Sequence, residues 1–148
     1  MRGTEATLCC SSAFDYEEAT EQAHATDLVQ AHLIETLSCI GRDYWDFYFL
    51  RVRRTVPEFV ISGVLEALEM ARQEGHIRHI GLHSVGDANP TIGLWRLHDA
   101  FEAILIERDP DPLVALARER RVGVVSPLPI EGATRLLSVT NRAEIPCA

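Results

Sequence analysis

Apolar residues along this chain fall into short continuous runs that alternate with longer amphipathic stretches. The continuous runs predict five strands, at residues 6–10, 45–50, 77–82, 103–106 and 122–125. In each gap between them, apolar residues recur every three or four positions, which predicts a helix with one buried face. Continuous apolar strands that alternate with amphipathic helices are typical of a parallel sheet covered by helices. The pattern therefore predicts the α/β class.

Capping and turn residues set the expected helix boundaries. The expected starts and stops are Asp27 and Gly41, Pro57 and Gly75, Asn89–Pro90, and Asp111–Pro112. After Gly132 the pattern fades, so we expect one domain over residues 1–132 and a loose C-terminal tail over 133–148. No glycine-rich phosphate-binding motif follows a strand, and the pattern alone leaves both an open sheet and an arc of a barrel possible.

Charge and composition exclude several kinds of protein. The 14 basic and 22 acidic side chains give a net charge of −8, which argues against a general binder of nucleic acid or membrane surfaces. The chain has neither an apolar run long enough to cross a bilayer nor the apolar stretch of a secretion signal near Met1. We therefore expect a cytoplasmic protein.

The four cysteines do not have the spacing of a metal site. Cys9 and Cys10 are adjacent, while Cys39 and Cys147 stand alone, so no zinc or iron–sulfur ligand set is expected. We expect four reduced thiols without a chemical role, with a redox use of the adjacent pair as the alternative.

Three segments, taken in order, resemble the aldo-keto reductase family. They are Gly41–Leu50, Ala67–Leu82, and Val124–Leu128 followed by Gly132. The resemblance implies a partial (β/α)8 barrel of about five parallel strands, NADPH as cofactor, and reduction of aldehydes or ketones. It also implies that the chain begins near the third strand of the family's barrel and ends near the seventh, because a complete barrel takes about 250 residues.

The resemblance also implies that the family's proton-donating machinery is missing. That machinery is a tyrosine acid tuned by a lysine, an aspartate and a histidine, and the tyrosine and aspartate would lie before Met1. Leu8 stands at the lysine position and Arg51 at the histidine position. Neither leucine nor arginine can act as a general acid, so no catalytic residue is assigned. Arg51 could still polarise an oxygen or hold an anion. The alternative is that Arg51, Arg53 and Arg54 are an ordinary solvated charge run.

The resemblance places three candidate cofactor contacts. His83-Ser84 corresponds to the pair that binds the nicotinamide amide, which makes Ser84 a candidate, and Ser126 and Leu128 lie in the turn near the pyrophosphate. Leu105 and Val125 stand where many members have a glutamine and a stacking aromatic ring.

Two functions remain open at this stage. The chain is either an aldo-keto reductase-like oxidoreductase that is inactive in isolation, or a non-catalytic barrel fragment that serves as an interaction module or half of a split protein. Missing strands would leave open edges on a parallel sheet, which predicts self-association or a partner chain. No metal, nucleic-acid or membrane partner is expected.

Overall fold

The structure, a computed structural model, describes residues 10–13, 16–107, 112–126 and 134–135, the first and last of these ranges as backbone. These residues form six strands and four helices, and one helix follows each of the first four strands. The strands are β1 (Cys10–Ala13), β2 (Trp45–Val52), β3 (Ile77–Ser84), β4 (Ala103–Leu105), β5 (Gly123–Ser126) and β6 (Thr134–Arg135). The helices are α1 (Gln22–Ile40), α2 (Glu58–Gln73), α3 (Asn89–Leu97) and α4 (Leu113–Arg120), and one 3-10 turn covers Tyr16–Glu18.

The six strands form one parallel sheet in the order in which they occur along the chain. Parallel neighbours joined by helices in strict sequence order are the arrangement of a (β/α)8 barrel. The predicted α/β class and partial barrel are confirmed. β6 lies in the segment expected to be a tail, and most of the strand predicted at 6–10 lies outside the described residues.

The sheet has two chemically different faces. One face packs under the helices, where Leu50 and Leu82 join Leu33 and Val64 in the main core. The other, which we call the inner face, carries a separate apolar cluster, whose members are Phe47, Phe49, Ala103, Leu105 and Val125. Because successive strand residues point to opposite faces, the position of one residue fixes the face of its neighbours.

The first helix begins six residues earlier than its predicted capping residue, Asp27, implies. α1 starts at Gln22, so Asp27 lies inside the helix and does not cap it. The first turn packs against α2, where Ala25 is fully buried and the Thr26 hydroxyl donates to the Gly63 carbonyl oxygen at 2.9 Å. A Cβ atom on Gly63 would come 2.3 Å from the Gln22 carbonyl oxygen, so the close approach needs glycine there. Packing between the helices therefore outweighs the local capping signal.

The prediction of four reduced thiols is wrong for Cys39, which is disulfide-bonded to a cysteine outside the described side chains. Disulfides are rare in the cytoplasm, so the cysteines do not support the expected compartment. No helix within the described ranges is both long and apolar enough to span a bilayer.

Candidate functional site

Three polar residues lie on, or just beyond, neighbouring strands where the strands of the inner face end. Leu50 and Val52 belong to the core under the helices, so Arg51 between them lies on the inner face. Arg51 is in register with His83, and His83 with Leu105, two residues before Glu107. We call Arg51, His83 and Glu107 the carboxyl-end cluster. The carboxyl ends of parallel strands are where barrel enzymes place their active sites.

His83 and Glu107 form a hydrogen-bonded pair. The distance from His83 Nε2 to Glu107 Oε2 is 2.8 Å, and the side chains are 8% and 44% exposed. An ionised carboxylate has no proton to give, so His83 Nε2–H donates and Glu107 accepts. The hydrogen bond from His83 is the main cause that holds the pKa of Glu107 below its usual value; partial burial opposes it, and the charge of Arg51 acts with it. Glu107 is therefore a carboxylate at neutral pH.

The 3-10 turn supports the end of β2. The Tyr16 hydroxyl donates to the Arg51 carbonyl oxygen at 2.6 Å, and the Tyr16 side chain is buried. Burial and the neighbouring Glu17 carboxylate raise the pKa of Tyr16 far above its usual value, although nearby arginines oppose this. A phenol with so high a pKa is a poor proton donor, so Tyr16 has a structural role.

Arg51, in β2, and Arg53 and Arg54, just after it, have different surroundings. Arg53 and Arg54 both pair with the Glu17 carboxylate, at 3.1 and 2.9 Å, and the Glu17 side chain is only 3% exposed. Arg51 instead belongs to the inner face. Arg53 and Arg54 are well exposed, as the alternative left open by the sequence expects, but both also neutralise a buried acid.

Aromatic rings form the apolar part of the inner face below the carboxyl-end cluster. Phe49 is buried, and its ring stacks on that of Phe47 with centroids 5.7 Å apart. His79 lies beside Phe47 toward the amino end, at a ring distance of 5.0 Å. The surface next to the polar cluster is therefore apolar, and its residues Phe49, Ala103 and Leu105 are buried.

The candidate cofactor residues are not gathered on the inner face. Ser84 is opposite Val52, and Ser126 alternates with Val125, so both lie on the face toward the helices. Ser84 Oγ is buried and has no hydrogen-bond partner among the described residues. Leu128 lies outside the described residues.

The inner-face residues present do not fit a nicotinamide ring in the way the resemblance implies. Leu105 supplies no amide and Val125 no aromatic ring, and both side chains are apolar. His83 and Glu107 are the polar groups nearest to them in the strand register.

Lysine and tyrosine are the two residue types on which the proton donor implied by the resemblance depends. The chain contains no lysine, so all 14 basic residues are arginines. Its three tyrosines are Tyr16, Tyr44 and Tyr48. Tyr16 is buried in the turn, Tyr44 lies between the guanidinium groups of Arg42 and Arg78, and Tyr48 is in the core under the helices. No tyrosine therefore reaches the inner face.

The structure does not describe Leu8, the residue at the family's lysine position, and describes only the backbone of β1 after it. This strand ends at Ala13, in register with Leu50. Neither leucine nor alanine can tune a tyrosine.

The remaining histidines have structural surroundings. His32 is buried and contacts the Tyr48 hydroxyl, while His79 pairs with Glu102 at 2.8 Å. Within the described part of the chain, no three or more His, Cys, Asp or Glu side chains are grouped so as to hold a metal ion.

Sequence reasoning missed Glu107. The signal was present, since Glu107 follows an apolar strand by two residues and alternation places it on the face of Leu105. The carboxyl ends of neighbouring parallel strands then bring it to His83.

No protein-family model and no curated protein matches the chain. Solved structures of aldo-keto reductases do match. The enzyme of Bacillus halodurans in its apo form is 22% identical with a TM-score of 0.59, over 79% of this chain and 38% of that one. A Brucella melitensis reductase gives 13% identity and a TM-score of 0.62, over 79% of this chain and 44% of that one.

The aldo-keto reductase of Bombyx mori, solved in complex with NADP, is 22% identical with a TM-score of 0.59. The match covers 93% of this chain and 47% of that one, so the chain spans less than half the length of these reductases. The resemblance found in the sequence is confirmed at the level of the fold: the strands and helices are arranged like those of part of an aldo-keto reductase barrel.

Proposed function

We propose that the chain is a barrel segment of the aldo-keto reductase kind, a family whose activity is NADPH-dependent reduction of aldehydes and ketones, and that it does not carry out this reduction in isolation. The observation that supports the proposal is the absence of lysine from the chain and of tyrosine from the inner face. NADPH is the cofactor that the fold suggests, and we expect it to bind weakly or not at all.

The chemistry explains why these absences matter. Hydride transfer to a carbonyl carbon leaves negative charge on the oxygen, which needs a proton and electrostatic stabilisation. Arg51 can stabilise the charge but keeps its own proton at any cellular pH. Loss of a general acid alone typically lowers a rate about 10²–10⁴-fold.

The test is NADPH oxidation, followed by absorbance at 340 nm with an aromatic aldehyde. We expect no turnover above the rate without protein, and no quenching of Trp45 or Trp95 fluorescence at micromolar NADPH. Steady turnover that is lost in Ser126→Ala would contradict the proposal. A complete aldo-keto reductase under the same conditions is the positive control.

A second function is supported by the sheet edges. β1 pairs only with β2 and β6 only with β5 among the described strands, whereas a closed barrel has eight strands. Unpaired strand edges favour pairing with another chain. We propose that a partner chain, or a second copy of this one, covers these edges.

Light scattering coupled to size-exclusion chromatography measures this association. We expect a mass above that of the 16.5 kDa monomer, or a monomer that gains mass when the partner is added. A folded monomer over the whole micromolar range that takes up no partner strand would contradict the second function.

A further inference from the structure

The carboxylate of Glu107 is oriented through one of its oxygens. His83, which is almost fully buried, holds Oε2, while the Glu107 side chain is 44% exposed. The second oxygen, Oε1, can therefore accept a proton from a small molecule at the carboxyl-end cluster. A carboxylate held in place in this way has the geometry of a general base.

Arg51 supplies a permanent positive charge on the same face. It lies one strand from His83, and its charge acts on the Glu107 carboxylate. A guanidinium cannot lose its proton, but it stabilises negative charge that develops on a neighbouring oxygen. A base and a fixed cation beside an apolar surface match the needs of proton abstraction next to a carbonyl group.

We propose that Glu107 and Arg51 catalyse proton exchange at the carbon adjacent to the carbonyl group of small ketones and aldehydes, without a nicotinamide. Glu107 takes the proton as the C–H bond breaks, and the electron pair of that bond forms a C=C bond. The carbonyl π electrons move to oxygen, where Arg51 stabilises the enolate. Return of a proton to carbon, after exchange with solvent, restores the carbonyl compound.

His83 is a positioning residue in this proposal, because it acts through Glu107. The alternative route to the same exchange, through an imine with a lysine amine, is closed since the chain has no lysine. The proposal does not depend on reductase activity.

The experiment follows deuterium incorporation into hydroxyacetone in D₂O by ¹H NMR, with the full chain. We expect exchange above the buffer rate, reduced about 10²-fold or more in Glu107→Gln and in Arg51→Met. Glu58→Gln is the matched control, because Glu58 also pairs with a histidine, His98, and its side chain is 56% exposed. The control variant keeps the exchange rate of the unmodified chain.

Circular dichroism checks that each variant folds. Exchange by the full chain no faster than by Glu107→Gln overturns the proposal, and so does an equal loss in Glu58→Gln. His83→Gln keeps an N–H donor and should retain most of the exchange, whereas His83→Leu should lose it. Equal rates in the two His83 variants would overturn the positioning role.

Discussion

Gly81 lies so close to the ring of Phe49 that a Cβ atom at this glycine would come 2.6 Å from two ring carbons. The same atom would be 2.8 Å from the Ala103 carbonyl oxygen on the next strand. Gly81 is thus enclosed by a buried ring and a backbone atom, so a side chain there would force the sheet or the ring to shift.

Gly81→Ala should lower the free energy of unfolding by about 1–3 kcal/mol, because overpacking forces shifts in the sheet. Gly123→Ala is the matched control, since a Cβ atom at Gly123 of β5 would have nothing within 4 Å. Urea denaturation of both variants measures the difference. Equal stability of the two would show that the Phe49 ring moves aside without cost.

Tyr16→Phe should cost about 1–3 kcal/mol at pH 7, because the buried carbonyl oxygen of Arg51 loses its donor. Since folding raises the pKa of Tyr16, its protonated form stabilises the fold below pH 10, and this stabilisation is lost as the pH rises above about 10. The difference between the unmodified chain and the variant should therefore shrink in alkali.

Chemical denaturation at pH 7 and pH 11 tests the pH dependence at Tyr16. Tyr44→Phe is the control, because the ring that contacts Arg42 and Arg78 is kept. If the difference in unfolding free energy between the unmodified chain and Tyr16→Phe is the same at both pH values, the stabilising role of the protonated Tyr16 hydroxyl is wrong.

Removal of both Arg53 and Arg54 should be more destabilising than removal of the charge of Glu17. The double change to alanine leaves the Glu17 carboxylate buried without a cation, which typically costs about 3–5 kcal/mol. Glu17→Gln leaves two well-exposed arginines and should cost about 1–2 kcal/mol.

The triple variant, which combines Glu17→Gln with the change of Arg53 and Arg54 to alanine, completes a mutant cycle. Adding Glu17→Gln to the arginine double change should restore part of the lost stability, which thermal unfolding can measure. Simple additivity of the three changes would mean that the buried carboxylate is not held by the arginines.

Glu107→Gln should destabilise the chain slightly at neutral pH and not in acid. Folding lowers the pKa of Glu107, so its contribution is present above its unfolded value of about 4 and is lost as the pH falls through the folded value. Because the side chain is well exposed, solvent screening limits the effect to about 0.5 kcal/mol. The free energy of unfolding of the unmodified chain and of Glu107→Gln is measured at pH 7 and pH 3. Glu119→Gln, an exposed change on α4, is the control and should show a smaller pH-dependent difference.

The strands were the most predictable part of the fold. β2 and β3 appear in the sequence as continuous apolar runs, since a parallel sheet buries both faces, and their structural bounds extend the predicted ones by two residues. The start of α1 was not predictable from Asp27, because the contact between Ala25 and Gly63 joins distant parts of the chain.

The candidate site was predictable in place but not in detail. Arg51, which the resemblance singled out, lies near the carboxyl end of β2 on the inner face. Ser84 and His83 are adjacent in sequence, yet only His83 is on the inner face, because neighbouring strand residues point to opposite sides. The pairing of His83 with Glu107 depends on the register of two strands, which the sequence alone does not give.

Among the described strands, each pairs only with the strands before and after it, so the pairings of this sheet join segments that are close in sequence. Each of the first four pairings closes a loop that holds one α-helix, so the entropy lost at each of these steps is modest. Growth of such a sheet is stepwise, and the central strands keep their partners whether or not the ring is completed. Pairings between neighbouring strands alone can thus hold an arc of a barrel together.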